Sequence, residues 1–335
     1  MFARCLLLYG LTTLGCLTHA VTANAQGQPV PPLPADPAAW VNGGPITADM
    51  LKGKAAFVYY YEEGCPSCRA KWPGLLAAAK KYEDKPIVFI GVNSGNSREE
   101  VTQYARELNI TWPILVDTTR KFEQDSGVNE ISLQNIFQAR IITADGKLGM
   151  GDFRDVEGTA DRALQGAKWN IDPTGIPPQL VPVWRGLEFG MMNGVPTALK
   201  AGLNAKDPAI KASAEKLNTQ VQERIAAEVQ AAKTAYAAGE KWKSYKMVNA
   251  VSIQYAGLEL PESVNKAKTA LAMDEAVKAE LQAAKELESL KKRARTASPA
   301  AMRGLVLKLK ELAEKSGATE AGVEAKELLE KVPQN

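Results

Sequence analysis

Between Ala39 and Asn170, short β-prone runs alternate with helix-length stretches, and this alternation narrows the possible folds more than any other feature of the chain. Ala56–Tyr61, Ile87–Val92, Trp112–Val116 and Phe137–Thr143 read as strands, the last turning at Asp145–Gly146 into Lys147–Met150. Pro66–Tyr82 reads as a helix. Ser97 opens another, with Glu100 at the capping-box spacing where each side chain satisfies an orphan backbone N–H. Helices between strands imply crossovers and a sheet with parallel pairs.

The texture changes near Ile171. Of 22 aromatic residues, 14 lie in 39–170 and five in 186–335, so the second part lacks the bulky side chains of a sheet core. There the apolar spacing becomes helical: Leu217, Val221, Ile225, Val229, Ala232 and Tyr236 recur every three or four residues, as do Met302, Leu305, Val306, Leu309 and Leu312. Asp207–Pro208 and Ser298–Pro299 mark helix starts, and Gly194, Gly239, Gly257 and Gly317 mark stops. The expected organisation is a leader over 1–25, a proline-rich spacer over 26–38, an α/β domain over 39–170, a proline-rich connection over 171–182 and an all-α domain of helical hairpins over 183–335.

Met1–Arg4 is a short positive start, Cys5 to Leu17 is largely apolar, and Ala23–Asn24–Ala25 offers small residues for cleavage. That is the pattern of a secretory signal peptide, with an apolar run too short to span a bilayer. The mature chain is expected to begin near Gln26, outside the inner membrane in the periplasm. A second processing route would lipidate Cys16, because Thr13–Leu14–Gly15–Cys16 resembles a lipoprotein box; only that route predicts membrane attachment.

Cleavage after Ala25 removes His19, the one histidine, together with Cys5 and Cys16. Without histidine, Ser-His-Asp and Cys-His catalysis and a His-ligated zinc are excluded. The remaining pair, Cys65 and Cys68, cannot form a four-cysteine zinc site, so neither metal nor cofactor is expected. With 41 Lys and Arg against 38 Asp and Glu, the net charge of +3 gives no basic surface for nucleic acid. Lys291–Lys292–Arg293–Ala294–Arg295 is the one dense basic run and reads as a solvated helix end.

Cys65-Pro66-Ser67-Cys68 stands where a strand runs into a helix. A sulfur there faces unsatisfied N–H groups and the positive end of the helix dipole, which favours its thiolate. Cys65 is the expected exposed nucleophile and Cys68 the shielded resolving thiol. Arg69 and Lys71 would support the thiolate, whereas Glu62 and Glu63 would oppose it.

Residues 39–165 resemble the thioredoxin superfamily, specifically its bacterial extracytoplasmic thiol–disulfide branch. The likeness rests on Leu51–Lys52–Gly53–Lys54, Cys65-Pro66-Ser67-Cys68, Pro73, Thr111–Trp112–Pro113–Ile114–Leu115–Val116–Asp117 and Asp145–Gly146–Lys147, in that order. It implies a thioredoxin-like fold, a central mixed sheet flanked by helices, and an enzyme exchanging disulfides with protein thiols and an upstream redox partner. Three positions depart from the family pattern. Phe137 stands where a cis-proline is expected, Gly64 replaces a tryptophan, and Tyr59 replaces a buried carboxylate that serves as proton acceptor. Glu62 or Glu63 would have to substitute for that carboxylate.

Tyr236-Ala237-Ala238-Gly239-Glu240-Lys241-Trp242-Lys243-Ser244-Tyr245 resembles a tetratricopeptide-like helix junction, which implies either a docking surface for a protein or a bundle covering the sheet. Two alternatives to disulfide exchange stand beside it. A peroxiredoxin-like antioxidant activity would require a Thr three residues before the reactive cysteine, where this chain has Glu62; a non-catalytic scaffold would use Cys65–Cys68 as a structural staple.

Overall fold

The computed structural model describes residues 27–132, 135–136, 138–294 and 297–330. The leader, Cys16 and Phe137, the position aligned with the family's cis-proline, lie outside the described residues.

Among the described residues, seven strands form one sheet: β1 (Gln28–Pro29), β2 (Trp40–Val41), β3 (Ala55–Tyr61), β4 (Ile87–Ser94), β5 (Ile114–Asp117), β6 (Gln138–Ile142) and β7 (Lys147–Met150). Their spatial order is β1-β7-β6-β3-β4-β5-β2. β3 pairs parallel with β4, and β4 with β5. The pairs β3–β6, β6–β7, β1–β7 and β2–β5 are antiparallel. The sheet is therefore mixed. In chain order its helices are α1 (Ala48–Leu51), α2 (Pro66–Lys80), α3 (Arg98–Glu107), α4 (Lys121–Asp125) and α5 (Val156–Ala163).

β3 shows why the sheet forms. All seven of its residues are buried, and successive side chains serve opposite faces. Phe57, Tyr59 and Tyr61 pack with Cys68, Trp72, Leu75, Val101 and Tyr104. Ala56, Val58 and Tyr60 pack with Ile90, Leu115 and Phe122 on the other side. The capping box at Ser97 and Glu100 is complete.

Most element ends fall within two residues of the sequence expectation, and two differences have a clear physical cause. The third strand begins at Ile114, not Trp112: Pro113 has no N–H to donate, and the first β4–β5 pairs are Gly91 with Ile114 and Val92 with Leu115. The proline-rich segment, read as a spacer, is laid against the sheet. Gln28–Pro29 pairs with Lys147–Leu148, while Val30 and Leu33 contact the second core cluster.

From residue 178 the described chain is helical: α6 (Val181–Phe189), α7 (Val195–Leu203), α8 (Pro208–Ala237), α9 (Lys241–Gln254), α10 (Glu262–Ala272), α11 (Glu275–Ala294), α12 (Pro299–Lys315) and α13 (Glu320–Glu330). Asp207 and Ser298 cap α8 and α12 as the sequence implied, each accepting first-turn backbone N–H groups. Leu217, Val221, Ile225 and Ala232 are buried in one cluster and Leu305 and Leu312 in another, whereas Tyr236 faces solvent. Among the described residues no helix is long and apolar enough to cross a membrane.

α6 belongs to both parts. Phe189 is buried in the second sheet core, and Trp169 packs between Trp184 and Phe189 with ring centroids 4.3 and 5.7 Å away. Lys54, just before β3, makes a 2.8 Å ion pair with Glu188, both side chains 1% exposed. Glu188 also accepts the Ile171 backbone N–H. Isolated, either charge would be very costly to bury; paired and hydrogen-bonded, they are tolerated.

Candidate active site at the α2 N-terminus

The turn after β3 is short. The Cys65 N–H donates to the Glu62 carbonyl at 3.5 Å, and Cys65 then serves as N-cap of α2 with Pro66 at the first helical position. Proline there loses no hydrogen bond, because that N–H would be an orphan anyway. Cys65 Sγ accepts the Cys68 N–H at 3.1 Å, and Arg69 N–H donates to the Cys65 carbonyl. The sulfur thus takes the place of a capping oxygen at the positive end of a 15-residue helix.

Cys68 is fully buried, and Cys65 is only 2% exposed. The expectation of an exposed Cys65 sulfur is therefore corrected. Capping turns Sγ inward toward the Cys68 N–H and into the first core cluster, while Gly64, Pro66 and Ser67 around it are exposed. The sulfur lies directly beneath the surface turn.

Aromatic side chains enclose the pair. Tyr59 and Tyr61 stack at 6.1 Å, Tyr61 and Tyr104 at 5.6 Å, and Trp72 meets Tyr59 and Tyr61 edge-on at 5.4 and 5.0 Å. Burial raises the Tyr59 phenol far above its ordinary value, and Cys68 and Cys65 beside it raise it further. Burial and then Cys68 do the same to Tyr104. Both phenols stay protonated, so Tyr59 cannot stand in for an ionised carboxylate at its position.

The neighbouring charges are arranged differently from the sequence expectation. Arg69 pairs with Glu107 at 3.1 Å and lies over the Tyr104 ring, and Lys71 lies over Phe153. Glu62 pairs with Arg120. Glu63 is half-buried, and its Oε1 has no hydrogen-bond partner among the described residues. Burial first, then the carboxylates of Glu100 and Glu107, push it up to about 7. Sequence reasoning treated the two glutamates alike and missed Arg120 and Tyr104, which lie 55 and 39 residues beyond Cys65. No local motif marks either one.

A parallel β3–β4–β5 core, antiparallel β6–β7 and a Cys-x-x-Cys capping the first long helix define a thioredoxin-like domain. Residues 27–149, somewhat more than a third of the chain, match the family model described as the AhpC/TSA family. Thiol-disulfide oxidoreductase ResA of Bacillus subtilis (strain 168) is 26% identical over 80 residues, 24% of this chain and 45% of that protein. ResA of Bacillus cereus (strain ZK / E33L) is 21% identical over 108 residues, 32% of this chain and 60% of that protein. The chain thus spans about half the length of these curated relatives. A solved thioredoxin-family thiol:disulfide interchange protein from Chlorobium tepidum TLS is 24% identical, covering 42% of this chain and 99% of that one at a TM-score of 0.35.

Proposed function

We propose that the chain is an exported thiol–disulfide oxidoreductase acting on protein cysteines through Cys65 and Cys68. The observation that carries this reading is the 3.1 Å bond from Cys68 N–H to Cys65 Sγ at the start of α2, which favours negative charge on that sulfur. The likeness to the thiol-disulfide oxidoreductases ResA supports it. The Cys65 thiolate attacks one sulfur of a substrate disulfide. A mixed disulfide forms, and the departing sulfur leaves as a thiolate that takes up a proton. Cys68 then loses its proton and attacks Cys65 Sγ, forming the Cys65–Cys68 disulfide and releasing the second substrate thiol. An upstream partner restores the dithiol by the reverse exchange.

Of the two candidate proton acceptors, the geometry favours Glu63. Glu62 is held by Arg120, whereas Glu63 keeps a buried oxygen without a partner among the described residues and is pushed up to about 7. The same pairing speaks against peroxide reduction, since a carboxylate occupies the place where that chemistry needs a hydroxyl donor. Residues 39–170 are proposed as the redox domain and 183–335 as an accessory helical domain. The Lys54–Glu188 pair and the buried Phe189 support its role in covering the sheet. Export to the periplasm is read from residues 1–25.

The test is reduction of insulin disulfides by the dithiol form, with Cys65→Ser as control. The wild type is expected to accelerate reduction and the variant to fall to background. Equal rates would remove the proposal, and peroxide consumption that depends on Cys65 would replace it with the antioxidant reading.

A further inference from the structure

Arg120 sits at the C-terminal end of the sheet, in left-handed backbone conformation (φ 59°) at the start of α4. Its guanidinium joins α4 and the segment just after it to a turn that is distant in sequence. Nη2 pairs with Glu62, in the turn that presents Cys65. Nη1 pairs with Glu123 Oε1 at 3.1 Å, and Nε lies 3.8 Å from Glu130 Oε1. Glu123 is 1% exposed and also accepts the Ile131 N–H, while its own N–H donates to Asp117. A fourth segment gives the guanidinium room: a Cβ on Gly95, itself at φ +90°, would lie 3.2 Å from Arg120 Nη2. Only a planar fork with several donors can serve carboxylates from separate directions in this way; a lysine would serve them as a point charge.

We propose that Arg120 is a positioning residue for Cys65: it ties Glu62 to the α4 end of the sheet and cancels the carboxylate that would otherwise oppose the thiolate. The Glu62 carbonyl accepts the Cys65 N–H, so anchoring the Glu62 side chain also anchors the turn that sets the direction of Sγ. Other charges near this end are Glu123, Glu130 and Asp117 around Arg120, and Glu63, Arg69, Glu100 and Glu107 on the far side of the turn. Glu63 shares the Cys65 turn with Glu62, but of the two it is Glu62 that Arg120 holds. The inference rests on the dithiol reading above and deepens it.

The test is the Cys65 titration followed by the 13Cβ chemical shift of labelled cysteine, which needs neither substrate nor an exposed sulfur. In Arg120→Gln the acid constant of Cys65 is expected to fall on the order of fivefold, and in Glu62→Gln to rise by a similar factor. The double variant is expected to return near wild type, a recovery that a merely structural Arg120 would not show. If Arg120→Gln cannot fold because Glu123 is left buried and unpaired, Glu62→Gln decides alone, since it leaves the Arg120–Glu123 pair in place. A Glu62→Gln titration superimposed on wild type, or a double variant no closer to wild type than Arg120→Gln, overturns the proposal. Failure of insulin reduction with this titration pattern intact would instead remove disulfide exchange and leave Arg120 in its role.

Discussion

Around the dithiol, the sheet-bearing part of the chain buries Tyr59, Tyr61 and Tyr104, half-buries Glu63, and sinks Glu123 under Arg120. From α8 onward most charges stay at the surface in pairs such as Lys241–Asp274, Lys246–Glu320 and Lys266–Glu262, above cores of Leu, Val and Ala. Exposed pairs of that kind contribute only about 0–1 kcal/mol each. Buried polar groups cost much more when a partner is missing. The contrast shows where the molecule carries features that stability alone does not call for. The fold brings these residues from distant parts of the chain to the end of the sheet that carries Cys65, as expected where environment is tuned for chemistry.

Glu188 of α6 is a fully buried charge outside the sheet, and it offers the largest test of the comparison. Lys54→Met leaves Glu188 buried without its cation and is expected to lower stability by about 3–5 kcal/mol. Lys54→Met with Glu188→Leu replaces both charges by apolar groups and should recover most of that loss, less the cost of the unpartnered Ile171 N–H. Urea unfolding of both variants checks it. A Lys54→Met protein as stable as wild type would mean that α6 is not tied to the sheet through this pair.

A smaller effect sharpens the contrast around Glu63. Its carboxyl is pushed up to about 7 from an ordinary 4.5, so the folded protein holds this proton more tightly than the unfolded chain. Its contribution is fully present below pH 4.5 and is lost as pH rises toward 7. Glu63→Gln cannot lose a proton there. Stability of wild type relative to this variant should therefore fall between those two pH values, as read by thermal unfolding at several pH values. A constant difference would place Glu63 in ordinary solvent.

The sheet was legible because its signals are local and redundant. β3 announces itself as a run of β-prone residues, α2 by Pro66 after a capping residue, and α3 by Ser97 and Glu100. Lys147–Met150 follows Asp145–Gly146 directly and coincides with β7. The two-residue strands at Gln28–Pro29 and Trp40–Val41 were not legible. Their conformation comes from pairing with β7 and β5, and nothing in their own sequence demands it. At the site, the spacing of Cys65 and Cys68 fixed the capping geometry, but not the burial of Cys65 or the different environments of Glu62 and Glu63. Those depend on Arg120, Glu100 and Glu107, which only the folded sheet brings to the same end.

The most direct measurement is the reduction potential of the Cys65–Cys68 couple in a defined thiol–disulfide buffer. A sulfur favoured as thiolate by its helix should stabilise the reduced form and place the couple within the range of catalytic dithiols, between about −270 and −120 mV. A value below about −300 mV would mark a disulfide that physiological thiols leave closed, and would contradict a redox role for this site.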